Sequence, residues 1–213
     1  MKTVLTVAAF CFALLSPTPG TAQEHSQEIA LMFSSASDMG FLNGWGAAVN
    51  FRGSSKVLGY EVNARAANEK KLKADKGHTY GIQGALTFSL SHSLTAAAGI
   101  TRYGYESSFQ DGNRWKKDAQ PPFVGLRWRN RERTGEVTGD YFFQEHDTPN
   151  RVSAFTVGGG GRVGRWNRAV GVWCSGQLEL SRALQNGRFQ HNLAYAVRLG
   201  IRWNSRLRPP PLQ

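Results

Sequence analysis

The chain is predicted to be all-β, an antiparallel up-and-down transmembrane β-barrel of about ten strands, and three observations lead there. Over residues 193–203, Leu193, Tyr195, Val197, Leu199, Ile201 and Trp203 alternate with Ala194, Ala196, Arg198, Gly200 and Arg202. A strand sends successive side chains to opposite faces, so one face is wholly apolar and the other small and basic. Such a length, about eleven residues, suits a tilted strand crossing a hydrocarbon layer about 30 Å thick, with Trp203 at the interface. The same alternation recurs along the chain, and the connections alternate between short and long. Beyond the N-terminal segment no apolar run reaches the length of about eighteen residues that a membrane-spanning helix needs.

The first element is a secretory signal peptide, 1–22. Met1-Lys2 carries a positive charge, residues 4–15 are apolar, and Pro17, Pro19 and Gly20 break the run ahead of the small-residue site Gly20-Thr21-Ala22. The apolar run is too short to span a bilayer as a helix. Cleavage after Ala22 removes Cys11 and lowers the net charge of +11 by one, leaving Cys174 as the single thiol, so no intramolecular disulfide forms. Cys174 is in phase with Val170, Val172, Leu178 and Leu180, which points to a packed or lipid-facing thiol. One domain, 23–203, follows, then a short Pro-rich tail, 204–213.

Strands are expected in order. The first runs near Ile29 to Ser35. In the second, Trp45, Ala47, Val49 and Phe51 alternate with Gly46, Ala48, Asn50 and Arg52; in the third, Leu58, Tyr60, Val62, Ala64 and Ala66 alternate with Glu61, Asn63 and Arg65. Tyr80, Ile82, Leu86, Phe88 and Leu90 make the fourth, and Leu94 to Tyr105 the fifth. Val124, Leu126 and Trp128 alternate with Gly125, Arg127 and Arg129, and Val137, Tyr141 and Phe143 with Thr138, Asp140 and Gln144. Residues 151–163, 169–181 and 193–203 complete the set. The run Gly158 to Gly161 lacks the lysine and strand-to-helix context of a phosphate loop, so it reads as a bulge or bend. Eight strands result if the first segment or the glycine-rich eighth does not pair.

Connections near 53–55, 91–93, 131–135 and 164–167 are short; those at 36–44, 67–78, 106–122, 145–150 and 182–189 are mostly longer and more polar. Short periplasmic turns and longer outer loops, with an even strand number, are the habit of such barrels. Two further features put the apolar face outward. The polar face is rich in Gly and Ala, as a narrow interior requires, and aromatics (Trp45, Phe51, Tyr80, Trp128, Trp203) gather near strand ends as interface girdles.

On this phase a lumen charge network comprises Arg52, Glu61, Arg65, Arg127, Arg129, Asp140, Glu179, Arg198 and Arg202. Unpaired buried charge is costly, so the interior holds ion pairs, water, or both: a plugged lumen, or a narrow anion-preferring pore. The remaining basic residues crowd two outer loops, Lys70, Lys71, Lys73 and Lys76 in one and Arg114, Lys116 and Lys117 in the next. There they either bind lipopolysaccharide phosphates or serve as a solvated, charged surface. Dispersed arginines behind a signal peptide are not a nucleic-acid face.

Candidate catalytic residues are His78, His146 and His191 at the outward strand ends, with Asp75, Glu145 and Asp147 near the first two and Ser107 and Ser108 near the same level. No hydrolase motif accompanies them. Adjacent Glu145, His146 and Asp147 would point to opposite faces of a strand, so no metal site is read. No cofactor is implied.

Over residues 28–203 the chain resembles the small outer-membrane β-barrel proteins of Gram-negative bacteria, the broad group of opacity-type adhesins and the barrel of the outer-membrane protein A type. The resemblance is architectural. Its sharpest element is the last strand ending in Trp203, similar to the signal read by the barrel-assembly machinery. Here Asn204 to Gln213, with Arg206, Arg208 and Pro209 to Pro211, follow that aromatic residue, which ends the chain in the group. The resemblance implies the bacterial outer membrane, lipid and lipopolysaccharide as neighbours, and the assembly machinery as a biogenesis partner. The role expected is non-enzymatic: structural, surface-interacting, or passing small solutes. The alternatives are a rim-site hydrolase acting on lipid A or another envelope substrate, and a soluble secreted β-barrel binding protein.

Overall fold

The computed structural model describes residues 24–36, 44–55, 57–69, 76–108, 114–143, 152–165, 170–185 and 188–206. Residues 1–22, read from the sequence as a signal peptide, and Lys70, Lys71, Lys73, Glu145 to Asp147 and residues 207–213 lie outside the described residues. The strands are β1 (Glu24–Ala36), β2 (Gly44–Ser54), β3 (Leu58–Glu69), β4 (Lys76–Ser89), β5 (Leu94–Ser108), β6 (Arg114–Ala119), β7 (Pro122–Arg129), β8 (Gly135–Phe142), β9 (Val152–Arg165), β10 (Val170–Gln185) and β11 (Arg188–Arg206). All pairings are antiparallel, and β1 against β11 closes the sheet.

Both β6 and β7 pair with β5, and in one register: Tyr103 faces Ala119 and Ile100 faces Pro122. They are successive parts of a single stave. Pro121 and Pro122 have no N–H to donate, so the ladder is interrupted there, and Pro121 contributes only its carbonyl, which accepts from Thr101 N at 3.1 Å. Eleven strands thus make a barrel of ten staves.

The alternation maps onto the wall as inside and outside. Ile29, Leu31 and Phe33 of β1 point away from the barrel while Glu28, Ala30 and Met32 are buried within it, and Leu193, Val197, Leu199 and Trp203 of β11 continue the outer belt. Ile100 is 69% exposed, whereas Arg127 is 3% exposed. A soluble barrel would have these faces exchanged. Cys174 lies on the outward face of β10 with Val172 and Leu178, and it is a free thiol.

The strand ends near Glu24 and Arg206 form the proximal end. Its hairpins are built locally. Ser91 Oγ accepts from Leu94 N at 3.1 Å, and Leu90 N donates to Leu94 O at 2.9 Å. In the β7–β8 turn, Asn130 Oδ1 accepts from Thr134 N at 2.8 Å and Gly135 N at 3.0 Å, holding Arg133 at φ 57° in the left-handed region.

At the distal end the strands run further than the sequence suggests. Residues 67–69 belong to β3, 76–78 to β4, 106–108 to β5, 114–119 to β6, 182–185 to β10 and 188–189 to β11, all assigned to connections by pattern. These segments are polar at most positions and their sequence carries no alternation, yet the backbone ladder continues. The belt's distal edge is marked by outward polar pairs: His78 with Asn68 Oδ1 at 2.7 Å, and Arg102 with Asp118 at 2.7 Å.

Candidate functional site

The proximal half of the lumen is bridged by charge. Arg127 on β7 forks onto Asp140 on β8, with Nη1 to Oδ1 at 2.5 Å and Nη2 to Oδ2 at 3.1 Å, and its Nε donates to Glu61 Oε2 on β3 at 3.2 Å. Arg52 on β2 reaches Glu136 on β8 at 2.6 Å and Glu61 at 3.4 Å. Arg202 on β11 donates to Glu28 on β1 (Nε 2.8 Å, Nη2 2.5 Å) and to Glu136 (Nη1 3.2 Å, Nη2 3.1 Å). Arg129 Nε stands 3.5 Å from Glu136.

Three of these links, Arg52–Glu136, Arg202–Glu136 and Arg127–Glu61, connect strands that are not neighbours, and the others join adjacent strands. In the closed order β2 and β8 are half a circumference apart, so the Arg52–Glu136 pair spans the lumen. Four guanidinium groups face four carboxylates, which makes the cluster neutral. Bidentate and shared contacts are what compensate the desolvation of so many charges.

Trp173 of β10 is packed into this cluster, with the Arg202 guanidinium carbon 3.5 Å from its ring centroid. Gly160 of β9 makes the room: a Cβ there would stand 2.8 Å from Trp173 Nε1 and 2.6 Å from Ser175 Cβ. The register slips between Val172 and Trp173. The glycine run is therefore a place where one strand approaches a bulky side chain of its neighbour.

Against the cluster lies a cavity of about 150 Å³, lined on one side by cluster members that include Arg52, Glu61, Arg127, Glu136 and Asp140. Arg65, Arg198, Glu179 and Gln177 line it along with Asn50, Asn63 and Gln83. Asn50 Nδ2 donates to Asn63 Oδ1, and Asn63 Nδ2 to Glu61 Oε1 at 2.7 Å, which ties the asparagines to the charges below.

Of the residues selected by sequence, Arg52, Glu61, Arg127, Arg129, Asp140 and Arg202 meet in the cluster, while Arg65, Glu179 and Arg198 sit above it. Glu28, Glu136 and Trp173 were missed. Glu28 lies one residue before the segment read as the first strand, and Glu136 one residue before Val137, each in the polar phase of its strand. Extending each alternation by one step finds both carboxylates; Trp173, between the outward Val172 and Cys174, already falls in the inward phase, and only its aromatic character sets it apart from the other lumenal positions.

Two of the histidine candidates, His78 and His191, do not meet. His78 and His191 both point outward, on β4 and β11, four staves apart, a separation of about 19 Å along the wall at strand spacing. His146 lies outside the described residues. No group of three potential metal ligands occurs among the described residues. Lys76 opens β4 and Arg114, Lys116 and Lys117 lie on β6, beyond the belt's polar edge.

No protein-family model and no curated protein sequence matches the chain. Among solved structures it is similar to Ail, the attachment invasion locus protein of Yersinia pestis, at 13% identity over 86% of this chain and 99% of that one, with a TM-score of 0.39. It is also similar to Neisserial surface protein A (13% identity, 85% and 96% covered, TM-score 0.37) and to a major outer membrane protein from Thermus thermophilus (12% identity, 86% and 100% covered, TM-score 0.37). Each is a likeness of fold.

Proposed function

We propose that this protein is a closed, non-enzymatic barrel of the bacterial outer membrane, with a structural and surface-interacting role rather than that of an open pore. The observation that carries this reading is the neutral ion-pair cluster across the proximal lumen, above all Arg52 to Glu136 at 2.6 Å. A solute passing through would have to break several buried pairs at once, each costly to separate. The proximal end, with its short turns, faces the periplasm in this reading. Lys76 at the distal end of β4 and Arg114, Lys116 and Lys117 on β6 supply the cations that meet lipopolysaccharide phosphates in this reading. Export through a cleaved signal peptide and insertion by the barrel-assembly machinery complete the proposal.

Reconstitution of the full chain into planar bilayers tests it. Wild-type protein is expected to give no discrete conductance steps, and Arg52→Ala combined with Glu136→Ala is expected to produce them. Discrete steps from the wild type would replace the closed-barrel reading with solute passage.

A further inference from the structure

We propose that the lumenal cavity above the ion-pair cluster is a binding site for a small oxyanion, held between Arg65 of β3 and Arg198 of β11. The charges below are balanced among themselves, but these two are not. Arg198 makes no ion pair among the described residues: its Nη2 donates to Gln177 Oε1 at 2.6 Å, and its Nε is buried with no hydrogen-bond partner. Of the carboxylates that line the cavity, Glu28, Glu61, Glu136 and Asp140 are engaged by the cluster arginines, and Glu179, the one outside the cluster among the described residues, stands 4.0 Å from Arg65 Nη2, at the limit of an ion pair. Two guanidinium groups and one carboxylate leave a positive charge in excess inside the wall.

A buried guanidinium that has gained a neutral amide acceptor but no counter-charge recovers only part of its lost hydration, so the site favours an anion. Room for one is built in. Ala48 lies across from Arg65 on one neighbouring strand and Gly81 on the other, and both line the cavity. A Cβ at Gly81 would press on Arg65 Nε at 3.1 Å, so the glycine lets the arginine lie along the wall. A volume of about 150 Å³ accommodates a group the size of a benzene ring, and hence a phosphate or a small carboxylate. Arginine's fork suits oxyanions in particular, because it donates two parallel hydrogen bonds.

The site does not depend on whether the barrel conducts, so its test needs no conductance. Inorganic phosphate is titrated calorimetrically into the detergent-folded full chain at constant ionic strength, with sodium chloride as the balancing salt. One phosphate per barrel is expected to bind. Arg198→Gln is expected to weaken it about tenfold or more, as loss of a charged hydrogen bond does, and Arg131→Gln in the exposed β7–β8 turn to leave it unchanged. Arg65→Gln is expected to weaken it as well, and carries the test if Arg198→Gln does not give the heat-modifiable folded band. Absence of saturable binding in the wild type overturns the proposal. So does binding that Arg198→Gln and Arg65→Gln leave intact, or that Arg131→Gln reduces equally.

Discussion

Replacing Glu136 by Gln is expected to destabilise the barrel by about 3 to 5 kcal/mol, the usual cost of stranding a buried ion-pair partner. Glu136 serves three cations, with Arg52 at 2.6 Å, Arg202 at 3.1 Å and Arg129 at 3.5 Å. At an effective dielectric of about 20, a unit pair at about 4 Å attracts by about 4 kcal/mol, so the gross loss over three contacts exceeds the net figure severalfold. Two effects reduce it. The amide oxygen still accepts from one guanidinium, and Arg52 keeps Glu61 while Arg202 keeps Glu28. What remains is a cluster with four guanidinium groups and three carboxylates, unable to relax because its members sit on different walls. The assay is urea unfolding in lipid vesicles, with stability taken from midpoint and slope. Glu132→Gln in the exposed turn is the control and is expected to lie within about 0.5 kcal/mol of wild type. A double-mutant cycle with Arg52→Met adds a second readout, because a shared interaction makes the two costs less than additive. Equal midpoints for Glu136→Gln and Glu132→Gln would refute the cluster as a source of stability.

Two further expectations concern the wall. Leu199→Arg, on the outward face at 49% exposure, is expected to cost about 2 to 4 kcal/mol near the bilayer midplane, read from the same unfolding titration; a cost below about 1 kcal/mol contradicts the assigned face. Gly200→Arg fails by another route, since its Cβ would collide with Ile29 O on the neighbouring strand. Gly99→Ala is expected to cost about 1 to 3 kcal/mol by overpacking, because a Cβ there collides with Gly84 O, whereas Gly84→Ala, with nothing within 4 Å, is expected to be near neutral. Equal stability of these two variants would show that the sheet adjusts freely at β4–β5.

Alternation alone is enough to say which residues share a face, because a strand has a period of two whatever it packs against. Arg198 and Arg202 are separated from Leu199 and Ile201 in the sequence, and the closed sheet places the first pair in the lumen and the second in the belt. The proline pair at 121–122 and the turn chemistry of Asn130 are likewise local facts. The distal hairpins are not legible in this way. Their pairing is a property of the backbone, and with no alternation of apolar and polar residues nothing in 106–108 or 114–119 advertises it.

Partnership across the lumen was decided by the tertiary structure alone. Arg52 meets Glu136, 84 positions away, because closure of ten staves brings opposite walls within reach of an arginine side chain, and Arg202 meets Glu28, 174 away, because closure makes the first and last strands neighbours. Period two names the charges that enter the interior. It carries no information about which strands stand opposite one another, or about which arginine faces the cavity with no carboxylate paired to it. That depends on strand number, stagger and side-chain reach together, and on the requirement that buried charges compensate one another wherever they can.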